Sequence, residues 1–83
     1  MDTSPPRTFF VEADADLQAL SRILDRIAVL QLACETIRVN ISLNAQNVVI
    51  ELRAAERAHF DLLVNRLAAM PCVRSVAALP NDP

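Results

Sequence analysis

The residues of this chain best suited to chemistry are three carboxylates near its start, Glu12, Asp14 and Asp16. Together they could bind a cation or the amine of a small ligand. Carboxylates in such a position also cap a following helix and interact favourably with its positive end. Because a helical pattern begins directly after Asp16, we interpret the cluster as a capping and charge-balancing feature. Its negative charge also disfavours an anion site at this helix start.

Nucleophiles and metal ligands are few and isolated. The single histidine, His59, has no cysteine or serine within helical reach that could exchange a proton with it. Cys34 and Cys72 form no Cys-x-x-Cys pair and fall short of the roughly four ligands of a zinc site, so we interpret both as small buried side chains. The chain has no glycine. Because nucleophile elbows and nucleotide-binding loops require glycine, the sequence contains neither motif. The sequence therefore predicts no catalytic residue, no metal site and no cofactor.

The composition fits one small domain. The chain has 83 residues, of which 53% are hydrophobic. This share is high for so short a chain, which on folding buries only about 60% of the surface that it exposes when unfolded. This excess favours an oligomer or a complex, although an ordinary Ala- and Leu-rich domain has the same composition. The net charge is -2 and the eight basic residues are scattered arginines, so no basic face for nucleic acid is expected.

Membrane and export signals are not evident in the sequence. No apolar run approaches the roughly 20 residues of a membrane span. Residues 1–6 contain an acid and two prolines, unlike the basic start of a signal peptide. We therefore expect a cytoplasmic protein that binds neither membrane nor nucleic acid.

Apolar spacing along the chain switches between the periods of strand and helix. From Cys34 onward the period is two, with one polar and one mostly apolar face, which is typical of a half-exposed strand. A short polar turn follows, and because the chain has no glycine we expect an asparagine in a left-handed conformation there. In chain order the predicted elements are a strand over Thr8–Glu12, a helix from Leu17 to Leu30, a strand over Cys34–Leu43, a turn over Asn44–Asn47, a strand over Val48–Arg53, a helix over Glu56–Met70 and a strand over Val73–Leu79.

The predicted order of strand, helix, strand, strand, helix, strand is the split βαβ arrangement of ferredoxin-like folds. We therefore expect an α+β domain over residues 7–79, with flexible ends at residues 1–6 and 80–83. Its four-stranded antiparallel sheet should carry both helices on one face. The first and third predicted strands are the most apolar and should be central, whereas the second should lie at an edge.

Five polar residues on two adjacent predicted strands are candidates for contact with a partner. An exposed edge strand favours pairing with another chain, often a second copy. The alternative is a solvated sheet face. The candidates are Arg38, Asn40 and Ser42 on the edge strand, with Glu51 and Arg53 on its neighbour.

Four stretches of the chain resemble ACT domains. Ala19–Leu24, which opens a helix just after a short strand, is similar to the start of their first helix. Asn44–Leu52, Phe60–Leu67 and Val73–Val76 are similar to the short small subunit of acetolactate synthase, the isozyme II type. The resemblance extends over residues 7–79 and consists mostly of hydrophobic pattern.

That resemblance implies a regulatory subunit that is not itself an enzyme. ACT domains typically pair side by side, which implies a homodimer through sheet edges, and they hold a small amino acid at the interface. The small subunit of acetolactate synthase activates a large catalytic subunit that carries thiamine diphosphate and FAD. A large subunit of this kind is therefore the implied partner, in branched-chain amino-acid biosynthesis.

The resemblance also implies an effector site beside the first helix. Valine-sensitive members have Asn, Gly and Asn where this chain has Ala15, Gln18 and Ala33, with Asp16 and Cys34 adjacent to these positions. Gln18 crowds the space that a glycine leaves open, and each lost amide removes a hydrogen bond worth about 0.5–1.5 kcal/mol. A valine-insensitive activating subunit is therefore expected. The alternatives are a free-standing ACT-like module that binds a small amino acid or metabolite, and a ferredoxin-like interaction domain.

Overall fold

The long helices and strands of the fold lie where the spacing of apolar residues predicts them. The computed structural model describes residues 3–80. Met1, Asp2 and residues 81–83, which belong to the predicted flexible ends, lie outside the described residues. Within the described range the elements are β1 (Thr3–Ser4), β2 (Arg7–Ala13), α1 (Leu17–Val29), β3 (Cys34–Ile41), β4 (Gln46–Leu52), β5 (Ala55–Glu56), α2 (Arg57–Ala68) and β6 (Val73–Pro80).

The main sheet formed by residues 3–80 is antiparallel and has the strand order β3-β4-β2-β6. β2 and β4 pair along their whole length, from Arg7 opposite Leu52 to Ala13 opposite Gln46. β6 pairs with the other side of β2, and β3 with the other side of β4. These pairings confirm the α+β class, the central position of the first and third predicted strands, and the edge position of the second.

The core lies between alternate residues of the central strands and one side of each helix. β2 and β4 alternate between buried and less buried residues, as the period of two requires. The rings of Phe9 in β2 and Phe60 in α2 pack with their centres 5.7 Å apart. Burying one large side chain of this kind stabilises the fold by about 1.5–3 kcal/mol. The buried hydrophobic residues are Phe9, Val11, Ala13, Ala19, Ile23, Ile27, Val48, Ile50, Leu52, Phe60, Leu63, Leu67 and Met70.

Different interactions cap the two ends of α1. At the N-terminus the Asp16 carboxylate accepts a hydrogen bond from the Ala19 backbone N–H at 2.7 Å. This bond satisfies one of the free donors of the first turn and confirms the capping interpretation. At the C-terminus, where glycine is usual, Gln31 adopts a left-handed conformation with a φ of 58°. Leu32 then donates its backbone N–H to the Ile27 carbonyl at 3.4 Å, which ends the helix.

α2 is shorter than the predicted helix over Glu56–Met70. Its N-cap residue, Glu56, makes no side-chain capping hydrogen bond. Instead Glu56 belongs to β5, which pairs with β1 so that Thr3 lies opposite Glu56. This pairing, which the apolar pattern does not predict, holds the chain in place just before α2.

The turn between β3 and β4 spans residues 42–45 rather than the predicted Asn44–Asn47. The expectation of a left-handed asparagine there is wrong, since in the described part of the chain the residue with positive φ is Gln31. The backbone N–H and the hydroxyl of Ser42 both donate to the Ala45 carbonyl, at 2.8 and 2.9 Å. These two hydrogen bonds close the turn without a left-handed residue.

Candidate functional site

β3 is uncovered along its whole length. All eight of its residues are exposed, and the exposed fractions of Ile37, Val39 and Ile41 are 41%, 39% and 49%. These three pair with buried residues of β4, so they lie on the same face as the core. The prediction of a half-exposed strand is therefore wrong. The core stops at β4, since the hydrophobic cluster formed by the described residues includes no residue of β3.

The outer backbone edge of β3 is also free, because within residues 3–80 this strand pairs with β4 alone. Unpaired N–H and C=O groups on such an edge are a template for another strand. β3 contains no proline, and its irregularity is confined to the start, between Cys34 and Thr36. The stretch from Ile37 to Ile41 is therefore a regular sheet edge with one apolar face, and we call it the β3 edge.

The second exposed surface is the sheet face that carries Phe10, which we call the open face. The side chain of Phe10 is 42% exposed. Two cavities of about 290 and 520 Å³ lie on this face and share Asn47 and Val49 in their linings. Paired residues of the four strands form rows across the open face. One row is Arg38, Val49, Phe10 and Ala77, and the next is Asn40, Asn47, Glu12 and Ser75.

Three of the five predicted partner-contact residues share the open face. Arg38 and Asn40 stand in its two rows, and Glu51 continues it along β4. The Glu51 carboxylate accepts a hydrogen bond from the Thr36 hydroxyl. Ser42 is engaged in the turn after β3, so it is not part of this group.

Arg53, the fifth predicted contact residue, forms an ion pair at the start of β3. Its Nε donates to the Glu35 carboxylate at 2.5 Å. Glu35 raises the pKa of Arg53, first through this hydrogen bond and then through its charge. Both side chains are more than half exposed, so solvent screens the pair and it contributes little to the stability of the fold. Its effect is to orient both side chains beside the bulge.

A buried glutamine holds the loop between β2 and α1, residues 14–16. Gln46 is fully buried, and its Nε2 donates to the Asp14 and Asp16 carbonyls, both at 2.6 Å. Its Oε1 is buried without a hydrogen-bond partner among the described residues. On the other side the Asp14 backbone N–H donates to the Cys72 carbonyl at 2.8 Å, and the Asp14 carboxylate pairs with Arg74 at 3.3 Å. The strands on both sides of β2 therefore fix this loop.

Gln46 is a site residue that the sequence interpretation missed, because it fell within the predicted turn. A signal was present in the pattern. Gln46, Val48, Ile50 and Leu52 alternate, which puts Gln46 in register with the buried face of β4. A polar side chain in a buried register needs hydrogen-bond partners nearby, and two backbone carbonyls supply them.

The five predicted effector-site residues form two groups at opposite ends of the sheet. One group surrounds loop 14–16, and the other lies at the start of β3. β4 runs from one group to the other over seven residues, so the groups are about 20 Å apart. Within one chain they do not form a common pocket. The first group is Ala15, Asp16 and Gln18, and the second is Ala33 and Cys34.

The two cysteines differ from the prediction that both are buried. Cys34 is exposed and Cys72 is half-buried. Cys34 pairs with Leu52 at one end of the sheet, whereas Cys72 contacts Asp14 at the other, so they cannot form a disulfide with each other within one chain. Although Cys34 is exposed, the neighbouring atoms exclude some water from its thiol, and this desolvation raises the pKa of Cys34; the charge of Glu35 raises it further. The higher pKa lowers the fraction of reactive thiolate.

Clustered metal ligands are absent from the described part of the chain. In residues 3–80, no group of three or more His, Cys, Asp or Glu residues could hold a metal ion. His59 is exposed on α2. Neither of the helices formed by these residues has the length and apolar character needed to cross a membrane.

No protein-family model matches this chain, and no curated protein matches its sequence. Solved structures match its fold. The ACT domain of GTP pyrophosphokinase from Chlorobium tepidum matches with a TM-score of 0.80 at 13% identity, over 90% of this chain and 97% of that chain. The C-terminal domain of the MgtC protein from Mycobacterium tuberculosis matches with a TM-score of 0.74 at 18% identity, over 92% of this chain and 86% of that chain.

A longer enzyme contains a similar domain. Homoserine dehydrogenase from Thiobacillus denitrificans matches with a TM-score of 0.79 at 9% identity, over 93% of this chain but only 17% of that chain. At identities of this size the likeness concerns the fold alone. The chain thus has the fold of an ACT domain, as its resemblance to that family implied.

Proposed function

We propose that this chain is a non-catalytic regulatory module that binds other protein chains along β3. The observation that carries the proposal is the β3 edge, where Ile37, Val39 and Ile41 lie uncovered beside a free backbone edge. The hydrophobic core formed by the described residues includes side chains of both helices but none of β3, so it does not cover this strand. A strand of this kind gains hydrogen bonds and apolar burial together when another strand joins it.

The first proposed partner is a second copy of the chain, paired antiparallel through β3 about a two-fold axis. Such an interface brings the same patch of both copies together. If the axis passes through Val39, Val39 of one copy lies opposite Val39 of the other. Ile37 of each copy then lies opposite Ile41 of the other, so each apolar residue of the β3 edge contacts another apolar residue. The same register sets Arg38 opposite Asn40. An axis at Arg38 is disfavoured because it opposes two like charges.

The proposed dimer also explains why the effector-site residues are separated within one chain. In the register centred on Val39, Cys34 of one copy lies opposite Asn44 of the other. Asn44 lies in the turn that leads into Gln46, whose side chain holds loop 14–16. Ala33 and Cys34 of one copy would therefore approach the loop of the other, and the effector site would be complete only in the dimer.

The second proposed partner is a catalytic chain, the large subunit of acetolactate synthase. Support comes from the resemblance of Asn44–Leu52 and Phe60–Leu67 to the small subunit of that enzyme. Homoserine dehydrogenase, in which a domain of this fold is a small part of an enzyme chain, is a precedent for attachment to catalytic machinery. Thiamine diphosphate and FAD would be held by the large subunit. Because Ala15 and Gln18 replace the residues of valine-sensitive members, activation should be insensitive to valine.

Sedimentation equilibrium tests the pairing along β3. Ile37→Asp places a charge in the apolar edge and should weaken the dimer at least tenfold. Val29→Asp is the matched control, because Val29 is an exposed apolar residue that belongs to α1 and not to β3. This control should dimerise as the unaltered chain does. A monomeric unaltered chain, or equal effects of the two substitutions, would reject the proposed interface.

Reconstitution tests the proposed catalytic partner. Adding the chain to a purified acetolactate synthase large subunit, with saturating thiamine diphosphate and FAD, should raise the rate of acetolactate formation. The increase should persist when valine is added. An unchanged rate would reject this enzyme as the partner, whereas the result from sedimentation would still stand.

A second candidate function, binding of a free amino acid, is favoured by the unpaired oxygen of Gln46. A buried acceptor without a donor is costly, and the ammonium of an amino acid at loop 14–16 would supply one. Calorimetric titration with each of the twenty amino acids tests this function. Specific binding with a micromolar dissociation constant supports it, and the absence of heat with all twenty rejects it.

A further inference from the structure

The outer part of the open face carries a positive charge without a carboxylate partner. Arg38 is exposed, and none of the ion pairs formed by residues 3–80 involves it. Beside it Asn40 and Asn47 lie directly opposite each other on β3 and β4. These three residues line the cavity of about 520 Å³ together with Val39 and Val49. All of the lining residues belong to the two outermost strands on this side, so the cavity lies at the margin of the sheet.

A second copy paired along β3 would extend this cavity across the interface. This step rests on the dimer proposed above, with its axis at Val39. In that register Arg38 of each copy lies opposite Asn40 of the other, on the open face. The two Arg38 residues are then diagonal neighbours across the axis, with their Cα atoms about 7–8 Å apart. Two guanidinium groups and two carboxamides therefore surround one point on the axis.

We propose that a small oxyanion, a carboxylate or a phosphate, binds at this axis between the two Arg38 side chains. A guanidinium presents a planar fork of N–H donors that matches two oxygens of such an anion. The carboxamides of Asn40 and Asn47 can donate to the remaining oxygens. The site lies on the open face, whereas Gln46, which holds loop 14–16, is fully buried in the register of the opposite face. The site is therefore distinct from loop 14–16 and its effector residues.

The dimer and the anion stabilise each other in this arrangement. Without an anion, pairing of the two copies brings two like charges together on the open face. With an anion both charges are neutralised by one ligand. Because a single copy contributes only one Arg38, the anion binds the dimer in preference to the monomer, and its presence shifts the equilibrium toward the dimer.

The test is the dissociation constant of the dimer, measured on the full chain by sedimentation equilibrium at constant ionic strength. Measurements in sodium chloride are compared with measurements in which phosphate or succinate replaces part of the chloride. An anion that binds only the dimer tightens it about tenfold when present at about ten times its own dissociation constant. We expect such a response to at least one of the two anions. A response to phosphate alone identifies a phosphate ligand, and a response to succinate alone identifies a carboxylate ligand.

Two arginine variants show whether the response comes from this site. Arg38→Gln should abolish the response to both anions, and in chloride it should dimerise at least as tightly as the unaltered chain because the like charges are gone. Arg22→Gln removes an exposed arginine of α1 and should retain the response.

Three outcomes overturn the proposal. If neither anion changes the dissociation constant, or if the response persists in Arg38→Gln, the anion site is rejected and the dimer remains. If the chain is monomeric in every buffer, both the dimer and the anion site are rejected, because half of the site never forms.

Discussion

The side chain of Gln46 makes two hydrogen bonds and leaves one buried oxygen without a partner among the described residues. Its Nε2 makes hydrogen bonds of 2.6 Å to the Asp14 and Asp16 carbonyls, each worth about 0.5–1.5 kcal/mol net. Its buried Oε1 lacks a partner in the described structure, which costs about 1–3 kcal/mol. Removing the side chain relieves that cost but leaves two carbonyls without their donor. We therefore expect the net effect of Gln46 to be stabilising.

Gln46→Leu is expected to lower the free energy of unfolding by about 1–2 kcal/mol, because it leaves the two loop carbonyls unsatisfied. Urea denaturation followed by circular dichroism measures the change. Gln18→Leu makes the same exchange at an exposed position of α1 and should change stability by less than about 0.5 kcal/mol. Equal midpoints for the two variants would show that these hydrogen bonds do not stabilise the fold.

Cys34 should react with iodoacetamide with a pH midpoint above that of a peptide thiol, because desolvation and the nearby Glu35 both raise its pKa. Glu35→Gln removes the second cause, so it should move the midpoint down and speed the reaction at neutral pH. Glu51→Gln changes a carboxylate that is not among the causes of the shift and should leave the midpoint in place. Rates from mass spectrometry in a Cys72→Ala background, at protein concentrations that favour the monomer, measure the effect. A midpoint at or below that of the peptide contradicts the expected shift.

Among the elements, the end of α1 is unusual because a glutamine occupies the left-handed position. Such a conformation costs a residue with a Cβ about 1–2 kcal/mol. Leu30 and Leu32, on either side of Gln31, pack against the core. Burial of these two leucines offsets the backbone cost and fixes where the helix ends.

Gln31→Gly is expected to raise the free energy of unfolding by about 0.5–1 kcal/mol, because glycine adopts a positive φ without steric cost. Gln18→Gly makes the same exchange inside α1 and should lower it by about 0.5–1 kcal/mol, because glycine is a poor helix former. Urea denaturation of both variants distinguishes these opposite signs. A loss of stability in both would contradict the assigned role of Gln31.

The elements also show what the sequence can and cannot predict. The high apolar content of β2 and β4 predicts their central position, because a short apolar run is typical of a largely buried strand. The two-residue pairing of β1 with β5 cannot be predicted in this way, since two residues are too few to define such a run. In β3 the alternation of Ile37, Val39 and Ile41 correctly predicts that these three residues share one face of the sheet. It does not predict whether a helix of the same chain covers that face.

For the whole molecule, the two edges of the main sheet are not equivalent. β6 ends in a proline, Pro80, which lacks a backbone N–H and therefore limits pairing. β3 has no proline and carries three exposed apolar residues on one face. This asymmetry favours β3 as the edge that receives another chain, so a dimer with a single kind of interface is expected instead of an open-ended chain of sheets.

Disulfide trapping at the β3 edge tests the central claim most directly. In a Cys34→Ser, Cys72→Ala background, mild oxidation should convert the Val39→Cys variant to a covalent dimer, because the Cα atoms across the axis would be about 4.5–5.5 Å apart, within disulfide range. Ile37→Cys has nearly the same exposure, 41% against 39%, but its copy would be about 14 Å away, so this variant should remain monomeric on a non-reducing gel. Trapping of both variants at equal rates, or of neither, would contradict pairing of two copies about Val39.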